Sequence, residues 1–398
     1  MNITIYPQKL NGIIHAIPSK SQAHRLLICA AFADNETTLI CPETNQDIEA
    51  TADCLRALGS QIQRTCNGYM VKPVVKIPDH AVLNCRESGS TLRFMLPVAG
   101  ALGVDTTFMM AGRLPNRPLS PLWEEMERMG CTLSRPTEDT LRCTGKLKSG
   151  SYTISGNVSS QFITGLLFAG ALLKGQSQLT ITEKLESEPY VNMTRQALAV
   201  FGINTDKYHI NGCFPFHTPG LLSVEGDWSN GAFFLAAKAM ENTVTVTGLN
   251  PDSVQGDRAV ESILASMEHP CTVSAANIPD LIPILSVAAA YHNGAIFTDI
   301  QRLRLKESDR VSSVISMLSA FGIHSEATDN TLTVHPGKFH GGTVDAVNDH
   351  RIAMSAAIAA TAADGPITII GAECVSKSYP SFWEEYVRLG GNYEQYIR

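Results

Sequence analysis

The chain has 398 residues, of which 44% are hydrophobic and 17% charged, and its formal net charge is -7. A length of this order predicts two domains or one large domain, and the composition is that of an ordinary globular protein. Because the surface as a whole is negative, we expect no general attraction to nucleic acid. An anionic ligand must therefore be bound by a local cluster of Lys and Arg.

The first residues, 1–6, alternate between polar and apolar as in a β-strand, without the basic and apolar regions of a signal peptide. The longest apolar stretches, 163–173 and 281–291, are too short to span a bilayer. The ten cysteines are scattered without metal-binding spacing, so we expect Cys29 and Cys143 to be reduced packing residues. Together these features predict a cytoplasmic protein that does not contact a membrane.

Several predicted helices begin with small or polar residues and then turn apolar. Ser, Asn and Asp at such positions are typical N-caps, and capping alone is the simplest interpretation of any one of them. Several such caps accompanied by Lys, Arg or Gly indicate helix N-termini that bind anions. In chain order the segments are 19–33, 87–101, 159–173, 227–240 and 348–363.

A helix that ends at Gly and is followed by a short strand recurs along the chain. Gly after a helix adopts the left-handed conformation that ends it, and a polar turn such as 329–330 then makes a hairpin. Six units of roughly 55 to 75 residues indicate stacked supersecondary repeats of mixed helix and strand, and hence an α/β or α+β fold. The glycines are Gly59, Gly130, Gly202, Gly322 and Gly390.

One of these units is predicted to be shorter than the others. Residues 266–273 take the place of the Gly and the strand that follows it. The hairpin that should come next is then almost missing before Ile278.

Two cationic segments lie in the first half of the chain. Ser21 and Arg25, beside Lys20, are four residues apart and share a helix face. Taken alone, this pattern is that of an amphipathic helix with two surface cations. The loop 112–119 holds two Arg between prolines, which suits either an anion clamp or a surface turn.

The segment 302–310 is the richest in charge. Its spacing places Lys306 and Arg310 on one helix face with Glu307 beside them, although a solvated helix start is the usual role of such a charge run. Asp280 is an isolated carboxylate that enters an apolar run, where it would most often be an N-cap. The sequence has no motif for a metal or a nucleotide, so we expect no metal and no cofactor.

Taken in order, the motifs of this chain resemble the EPSP synthase family of enolpyruvyl transferases over almost the entire length. One such match would be open to chance, whereas all of them in one order are highly specific. The matching segments are 18–25, 88–93, 116–119, 159–162, 187–190, 278–280, 305–310, 348–351 and Lys377.

The resemblance implies an α/β (α+β) fold with two lobes, an inside-out α/β barrel in which each lobe contains three βαβαββ repeats. The first lobe would comprise 1–18 plus 226–398, and the second 19–225. The active site is expected in the cleft between the lobes, which would close on their ligands. A monomer is expected, because two lobes of one chain already form the site.

The resemblance also implies a reaction: transfer of the enolpyruvyl group of phosphoenolpyruvate to the 5-hydroxyl of shikimate 3-phosphate, a step of chorismate and aromatic amino acid biosynthesis. Residues that match those around shikimate 3-phosphate are Lys20, Ser21, Arg25, Ser159, Ser160, Gln161, Ser187, Tyr190, Asp280 and Lys306. Residues that match those around phosphoenolpyruvate are Lys20, Gly89, Arg117, Gln161, Arg310, His350, Arg351 and Lys377.

Three residues are implied to handle protons in this reaction. Asp280 would accept the proton of the hydroxyl. Glu307 and Lys20 would transfer protons to and from C3 of phosphoenolpyruvate, which becomes a methyl group when it is protonated. Glyphosate is the expected inhibitor. The chain departs from the family pattern at Glu87, Glu188 and Arg302.

Two alternatives are weighed against this interpretation. UDP-N-acetylglucosamine enolpyruvyl transferases share the chemistry but place a reactive Cys in the loop that here spans 113–117, and this chain has no Cys between Cys85 and Cys131. A non-catalytic paralogue is the other alternative, and retention of the charged motif residues together argues against it.

Overall fold

The computed structural model describes residues 1–396. The chain divides into two compact units: the discontinuous unit, Met1–Ile17 with Gly226–Arg398, and the continuous unit, Pro18–Glu225. Each unit has its own hydrophobic core.

Twelve α-helices occur in the described part of the chain. They are α1 Lys20–Ala31, α2 Gln46–Ala57, α3 Gly89–Leu102, α4 Leu122–Arg128, α5 Ser160–Leu172, α6 Glu188–Val200, α7 Trp228–Ala239, α8 Val260–Ser266, α9 Ile282–Tyr291, α10 Arg310–Ala320, α11 His350–Ala359 and α12 Phe382–Arg388.

Strands alternate with these helices along the chain. They are β1 Asn2–Tyr6, β2 Asn11–His15, β3 Thr37–Ile40, β4 Gln61–Thr65, β5 Gly68–Lys72, β6 His80–Asn84, β7 Asp105–Met109, β8 Cys131–Ser134, β9 Thr140–Gly145, β10 Ser151–Ser155, β11 Gly175–Thr182, β12 His209–Gly212, β13 Leu221–Ser223, β14 Thr243–Thr247, β15 Cys271–Ser274, β16 Ala295–Thr298, β17 Ser325–Ala327, β18 Thr331–Val334, β19 Gly342–Asp345, β20 Ile367–Ile370 and β21 Asn392–Tyr396.

In residues 1–396, three small sheets occur in each unit. In the continuous unit the strand orders are β13-β3-β5-β4, β6-β7-β9-β8 and β10-β11-β12; in the discontinuous unit they are β14-β2, β15-β16-β18-β17 and β19-β20-β1-β21. The pairs β6/β7, β10/β11, β15/β16 and β19/β20 are parallel. Parallel neighbours need a crossover, which α3, α5, α9 and α11 provide. The repeated helix-and-strand units predicted from the sequence are confirmed.

The predicted helix-ending glycines are also confirmed. All five have positive φ, from +79° at Gly322 to +112° at Gly130, a conformation that costs glycine little. The antiparallel pairs β4/β5, β8/β9 and β17/β18 are the hairpins that follow three of them.

Among the described residues, no hairpin follows helix α8 in the shortened unit. Helix α8 ends at Ser266, and the next strand, β15, pairs in parallel with β16 as the first strand of the following unit. The prediction that this hairpin is almost missing is confirmed, but the prediction that 266–273 take the place of the Gly and its strand is wrong, because β15 belongs to the next unit. In the described residues β14 pairs with β2 alone, in a two-stranded sheet.

The apolar stretches of the sequence are helices of the two cores. In α5 the side chains of Phe162 and Phe168 are fully buried, and in α9 those of Ile284 and Leu285 are as well. Burial of each such side chain contributes about 1.5–3 kcal/mol. No helix in residues 1–396 is long and apolar enough to cross a membrane, and all ten cysteines are free thiols.

Candidate active site

The polar residues that begin the buried helices act as N-caps, as the sequence predicts. Each of these five side chains accepts a hydrogen bond from a backbone amide in the first turn of its helix, which satisfies a donor that the helix leaves unpaired. The caps are Ser19, Ser88, Ser159, Asp227 and Asp349, which begin α1, α3, α5, α7 and α11.

In the continuous unit, two guanidinium groups lie against the first residue of α3. A methyl group built on Gly89 would lie 2.7 Å from Nη1 of Arg117 and 2.7 Å from Nη1 of Arg93. Arg93 also donates to Oε1 of Gln161 at 3.0 Å, and Gln161 donates to Oγ of Ser90 at 2.9 Å. The start of α3 therefore combines the positive end of a helix dipole with two arginines, which is a suitable environment for an anion.

Helix α1 carries two more cations of the predicted set. Nζ of Lys20 forms an ion pair with Asp47 at 2.9 Å. Arg25 is buried, so the interpretation of α1 as a helix with two surface cations is wrong for this residue. It donates to the carbonyls of Ser21 and Tyr190 at 2.6 and 2.9 Å, and burial lowers its pKa to about 10.

The remaining predicted residues of this unit lie at the starts of α5 and α6. Ser159 caps α5, and Ser160 is buried in its first turn. Ser187 precedes α6 with a φ of +56°, an uncommon conformation for a residue other than glycine. Arg25 links α1 to Tyr190 in α6, while Arg93 links α3 to Gln161 in α5.

In the discontinuous unit, Arg310 is the centre of a buried charge cluster. Its guanidinium donates to three carboxylates: Nε to Asp349 at 2.9 Å, Nη1 to Asp280 at 2.7 Å and Nη2 to Glu307 at 2.7 Å. Only 1% of this side chain is exposed. Charge-assisted bonds of this kind fix both position and orientation. We conclude that Arg310 organises this cluster.

Asp280 is held by three cations. Besides Arg310, it lies 3.5 Å from Nζ of Lys306 and 3.2 Å from Nη2 of Arg351. Burial alone would raise the pKa of Asp280, but Arg351, Lys306 and Arg310 together hold it well below its ordinary value. Helix α9 begins two residues later without a side-chain cap, so the interpretation of Asp280 as an N-cap is wrong.

The start of α11 completes the cluster. The Asp349 carboxylate accepts hydrogen bonds from the amide of Arg351 at 3.0 Å and from Oγ of Ser308 at 3.0 Å. His350, the first residue of the helix, is buried. Lys377, in a short 3-10 helix, donates to the carbonyl of Asn348 at 2.8 Å.

Lys306 and Arg310 do not share a helix face, contrary to the prediction from their spacing. Lys306 follows a 3-10 helix, Gln301–Leu305, and α10 begins only at Arg310 because Asp309 is its N-cap. The two cations meet through Asp280 instead. Burial, aided by Arg310, lowers the pKa of Lys306 to about 8, although Asp280 opposes the shift.

Comparison with known proteins places this geometry in a family. The family model for EPSP synthase (3-phosphoshikimate 1-carboxyvinyltransferase) matches residues 5–386. The chain belongs to the EPSP synthase family. It is 37% identical to the 3-phosphoshikimate 1-carboxyvinyltransferase of Clostridium kluyveri, with 99% of this chain and 98% of that protein covered. It is 35% identical to the enzyme of the same name from Clostridium novyi, with 98% of each covered.

Solved structures show the EPSP synthase fold. An EPSP synthase from Acinetobacter baumannii superposes with a TM-score of 0.80 at 24% identity, covering 99% of this chain and 100% of that one. The enolpyruvyl transferase NikO from Streptomyces tendae superposes with a TM-score of 0.76 at 18% identity, covering 99% and 98%. The predicted α/β fold class and the predicted family are confirmed. The protein is accordingly a transferase of the shikimate pathway.

Four residues of these EPSP synthase clusters were not among the predicted catalytic or substrate-binding residues, although Asp349 was predicted as a helix N-cap. Arg93 belongs to the α3 motif, and its position four residues after Gly89 could have identified it. Asp47 and Asp349 pair with motif cations from distant parts of the chain. Asp257 is buried, and burial followed by the charge of Asp280 raises its pKa to about 6.

Proposed function

We propose that the clusters described above bind shikimate 3-phosphate and phosphoenolpyruvate for the carboxyvinyl transfer that characterises the family. The observation that carries this proposal is the Asp280 carboxylate within reach of Lys306, Arg310 and Arg351. A potential base surrounded by cations suits a reaction in which a hydroxyl is deprotonated beside anionic groups.

The proposed division of binding follows the two clusters. In the continuous unit, the proposed contacts of shikimate 3-phosphate are Lys20, Ser21, Arg25, Ser159, Ser160, Gln161, Ser187 and Tyr190. The proposed contacts of phosphoenolpyruvate there are Lys20, Gly89, Arg117 and Gln161. In the discontinuous unit, Lys306 would bind shikimate 3-phosphate. The proposed contacts of phosphoenolpyruvate there are Arg310, His350, Arg351 and Lys377. The positive charge of the Lys and Arg residues in this set would offset the repulsion between the two phosphates and two carboxylates of the substrates.

Asp280 is the proposed base for the 5-hydroxyl. Its low pKa makes it a weak base in the free protein. Anionic substrates would compete for Lys306, Arg310 and Arg351 and thereby raise the basicity of Asp280 when the hydroxyl arrives. Substrate binding would in this way produce the base that the first step needs.

The proposed reaction passes through a tetrahedral intermediate. Asp280 takes the hydroxyl proton, the oxygen bonds to C2 of phosphoenolpyruvate, and C3 gains a proton from Glu307 or Lys20. The tetrahedral intermediate then expels phosphate from C2 while C3 returns a proton to Glu307 or Lys20, which restores the double bond. Lys20 is an ammonium paired with Asp47, so it holds a proton that it can donate, and Glu307 is a carboxylate paired with Arg310, so it can accept one.

We also propose that glyphosate inhibits the enzyme. The enzyme is further proposed to act as a monomer and to be cytoplasmic. Glyphosate would compete for the anion-binding residues at the start of α3. Sedimentation of the purified protein tests the monomer, and a steady-state inhibition assay tests the inhibitor.

A phosphate-release assay tests the main proposal. With phosphoenolpyruvate present, shikimate 3-phosphate should support release of phosphate, and UDP-N-acetylglucosamine should not. Release with the nucleotide sugar alone would assign the chain to the other enolpyruvyl transferase activity. No release with either acceptor would contradict the proposal.

A further inference from the structure

Two histidines lie side by side on the outer face of the β17/β18 hairpin. The amide of His335 donates to the carbonyl of His324 at 3.1 Å. Their rings stack with centroids 4.9 Å apart and planes inclined by 20°. Glu326 lies two residues after His324, so its side chain leaves the strand on the same face. Leu332 and Val334 are buried on the opposite face of the hairpin.

The ligand atoms of these three side chains are close enough to share one ion. All lie within 4.8 Å of one another. Nε2 of His335 is 3.8 Å from Oε1 of Glu326, which is too long for a hydrogen bond. Zn²⁺ binds imidazole nitrogen at about 2.0–2.1 Å, so two ligand atoms of a tetrahedral site lie roughly 3.3 Å apart. Small side-chain rotations would bring the ligand atoms of His335 and Glu326 from 3.8 Å to the separation that a zinc site requires.

The side chains are free to make such rotations. The side chain of His335 is 45% exposed and that of Glu326 is 67% exposed. The backbone beneath them is fixed, because β18 pairs with both β16 and β17. The hairpin thus holds the donors in register while leaving their ends mobile.

We propose that His324, Glu326 and His335 bind a divalent transition-metal ion at this hairpin, and that Zn²⁺ is the ion. Two imidazoles and one carboxylate are donors that Zn²⁺ accepts, and water would fill the remaining position. The ion would join β17 to β18. Because this arrangement exists only in the folded chain, binding stabilises the native state. The proposal does not depend on the transfer reaction.

Titration of zinc chloride into the untagged, chelator-treated full chain tests the site. We expect one ion per chain. Substitution His324→Asn or His335→Asn should weaken binding by at least about tenfold, the loss that even a supporting contact of a metal site causes. The matched control is His80→Asn, since His80 is 78% exposed but lies in the other unit. This control should leave the affinity unchanged.

Two exposed thiols, Cys66 and Cys213, could bind zinc in place of the histidines. A Cys66→Ser/Cys213→Ser variant separates the two outcomes, because it should bind zinc like the parent. The melting temperature of the parent should rise with zinc, and that of His324→Asn/His335→Asn should not. The proposal would be overturned if zinc still bound to His324→Asn/His335→Asn. It would also be overturned if zinc did not bind to Cys66→Ser/Cys213→Ser or to the parent.

Discussion

Arg310 and Asp280 come from segments 30 residues apart, yet Nη1 of the arginine lies 2.7 Å from Oδ1 of the aspartate. The same guanidinium also contacts Glu307 and Asp349. These three bonds use three of the five N–H donors of the guanidinium, so a substrate carboxylate must share Arg310 with these partners. Arg310 therefore holds Asp280 in place as well as being a proposed contact of phosphoenolpyruvate.

Substitution Asp280→Ala should abolish nearly all turnover while leaving the affinity for shikimate 3-phosphate largely intact. Loss of a general base costs about 10²–10⁴-fold in rate. Lys306 and Arg351 would lose a competing anion, so binding should not weaken. Steady-state kinetics and calorimetry measure the two quantities, and Asp280→Asn serves as the matched variant of similar size. Near-normal turnover in the alanine variant would remove Asp280 as the base.

Substitution Asp349→Ala should destabilise the protein strongly. Asp349 is fully buried, caps α11 and pairs with Arg310. Breaking a buried ion pair costs about 3–5 kcal/mol. The control is Asp309→Ala, which removes the N-cap of α10 from a half-exposed position and should cost about 1 kcal/mol. Urea unfolding measures both. Equal losses would show that Asp349 acts only as a cap.

The affinity for shikimate 3-phosphate should fall as pH rises through about 8. The buried Lys306 has a pKa of about 8, so it is charged below that pH and neutral above it. A bound anion favours the ammonium form of Lys306, so above pH 8 binding takes up a proton. The affinity therefore falls by at most about tenfold per pH unit. Calorimetry from pH 7 to about 9.5 should show this fall in the parent and not in Lys306→Arg, because arginine stays charged. Identical profiles would contradict the assignment.

Substitution Gly89→Ala should raise the ratio of the glyphosate inhibition constant to the Michaelis constant for phosphoenolpyruvate. The added methyl would lie 2.7 Å from Nη1 of Arg117, so the guanidinium must move. Glyphosate is longer than phosphoenolpyruvate and has less room to adapt to the moved guanidinium. Weakening one charge-assisted hydrogen bond, worth about 1.5–3 kcal/mol, should therefore raise the ratio of the two constants roughly tenfold or more.

Folding provides the control for this experiment. Gly89 does not have a positive φ, so alanine fits its backbone conformation. The melting temperature should therefore stay nearly the same. A ratio that stays constant or falls in a well-folded variant would remove Gly89 from the phosphoenolpyruvate site.

Local features of this fold could be predicted from the sequence because they depend on neighbouring residues. Ser88 and Asp349 are caps by their chemistry and position, and Gly130 ends a helix because it tolerates a positive φ. These signals locate helix ends, and hence the starts of helices near which the motif residues lie.

Contacts between distant segments could not be predicted in the same way. The three carboxylates around Arg310 come from different elements, and the spacing of Lys306 and Arg310 wrongly indicated one helix. Asp257 shows no pattern in the sequence, because its raised pKa arises from burial and from Asp280. Such properties depend on tertiary packing, which a single sequence shows only through resemblance to a known family.

The direct connection from α8 to β15 shows where the chain can be changed in length. This repeat lacks a whole hairpin, yet β15 and α9 retain their places in the next repeat. The connecting residues Glu268, His269 and Pro270 are exposed. Exposed connections of this kind accept foreign segments more readily than packed ones do. A reporter peptide or an affinity label could accordingly be inserted at these exposed residues.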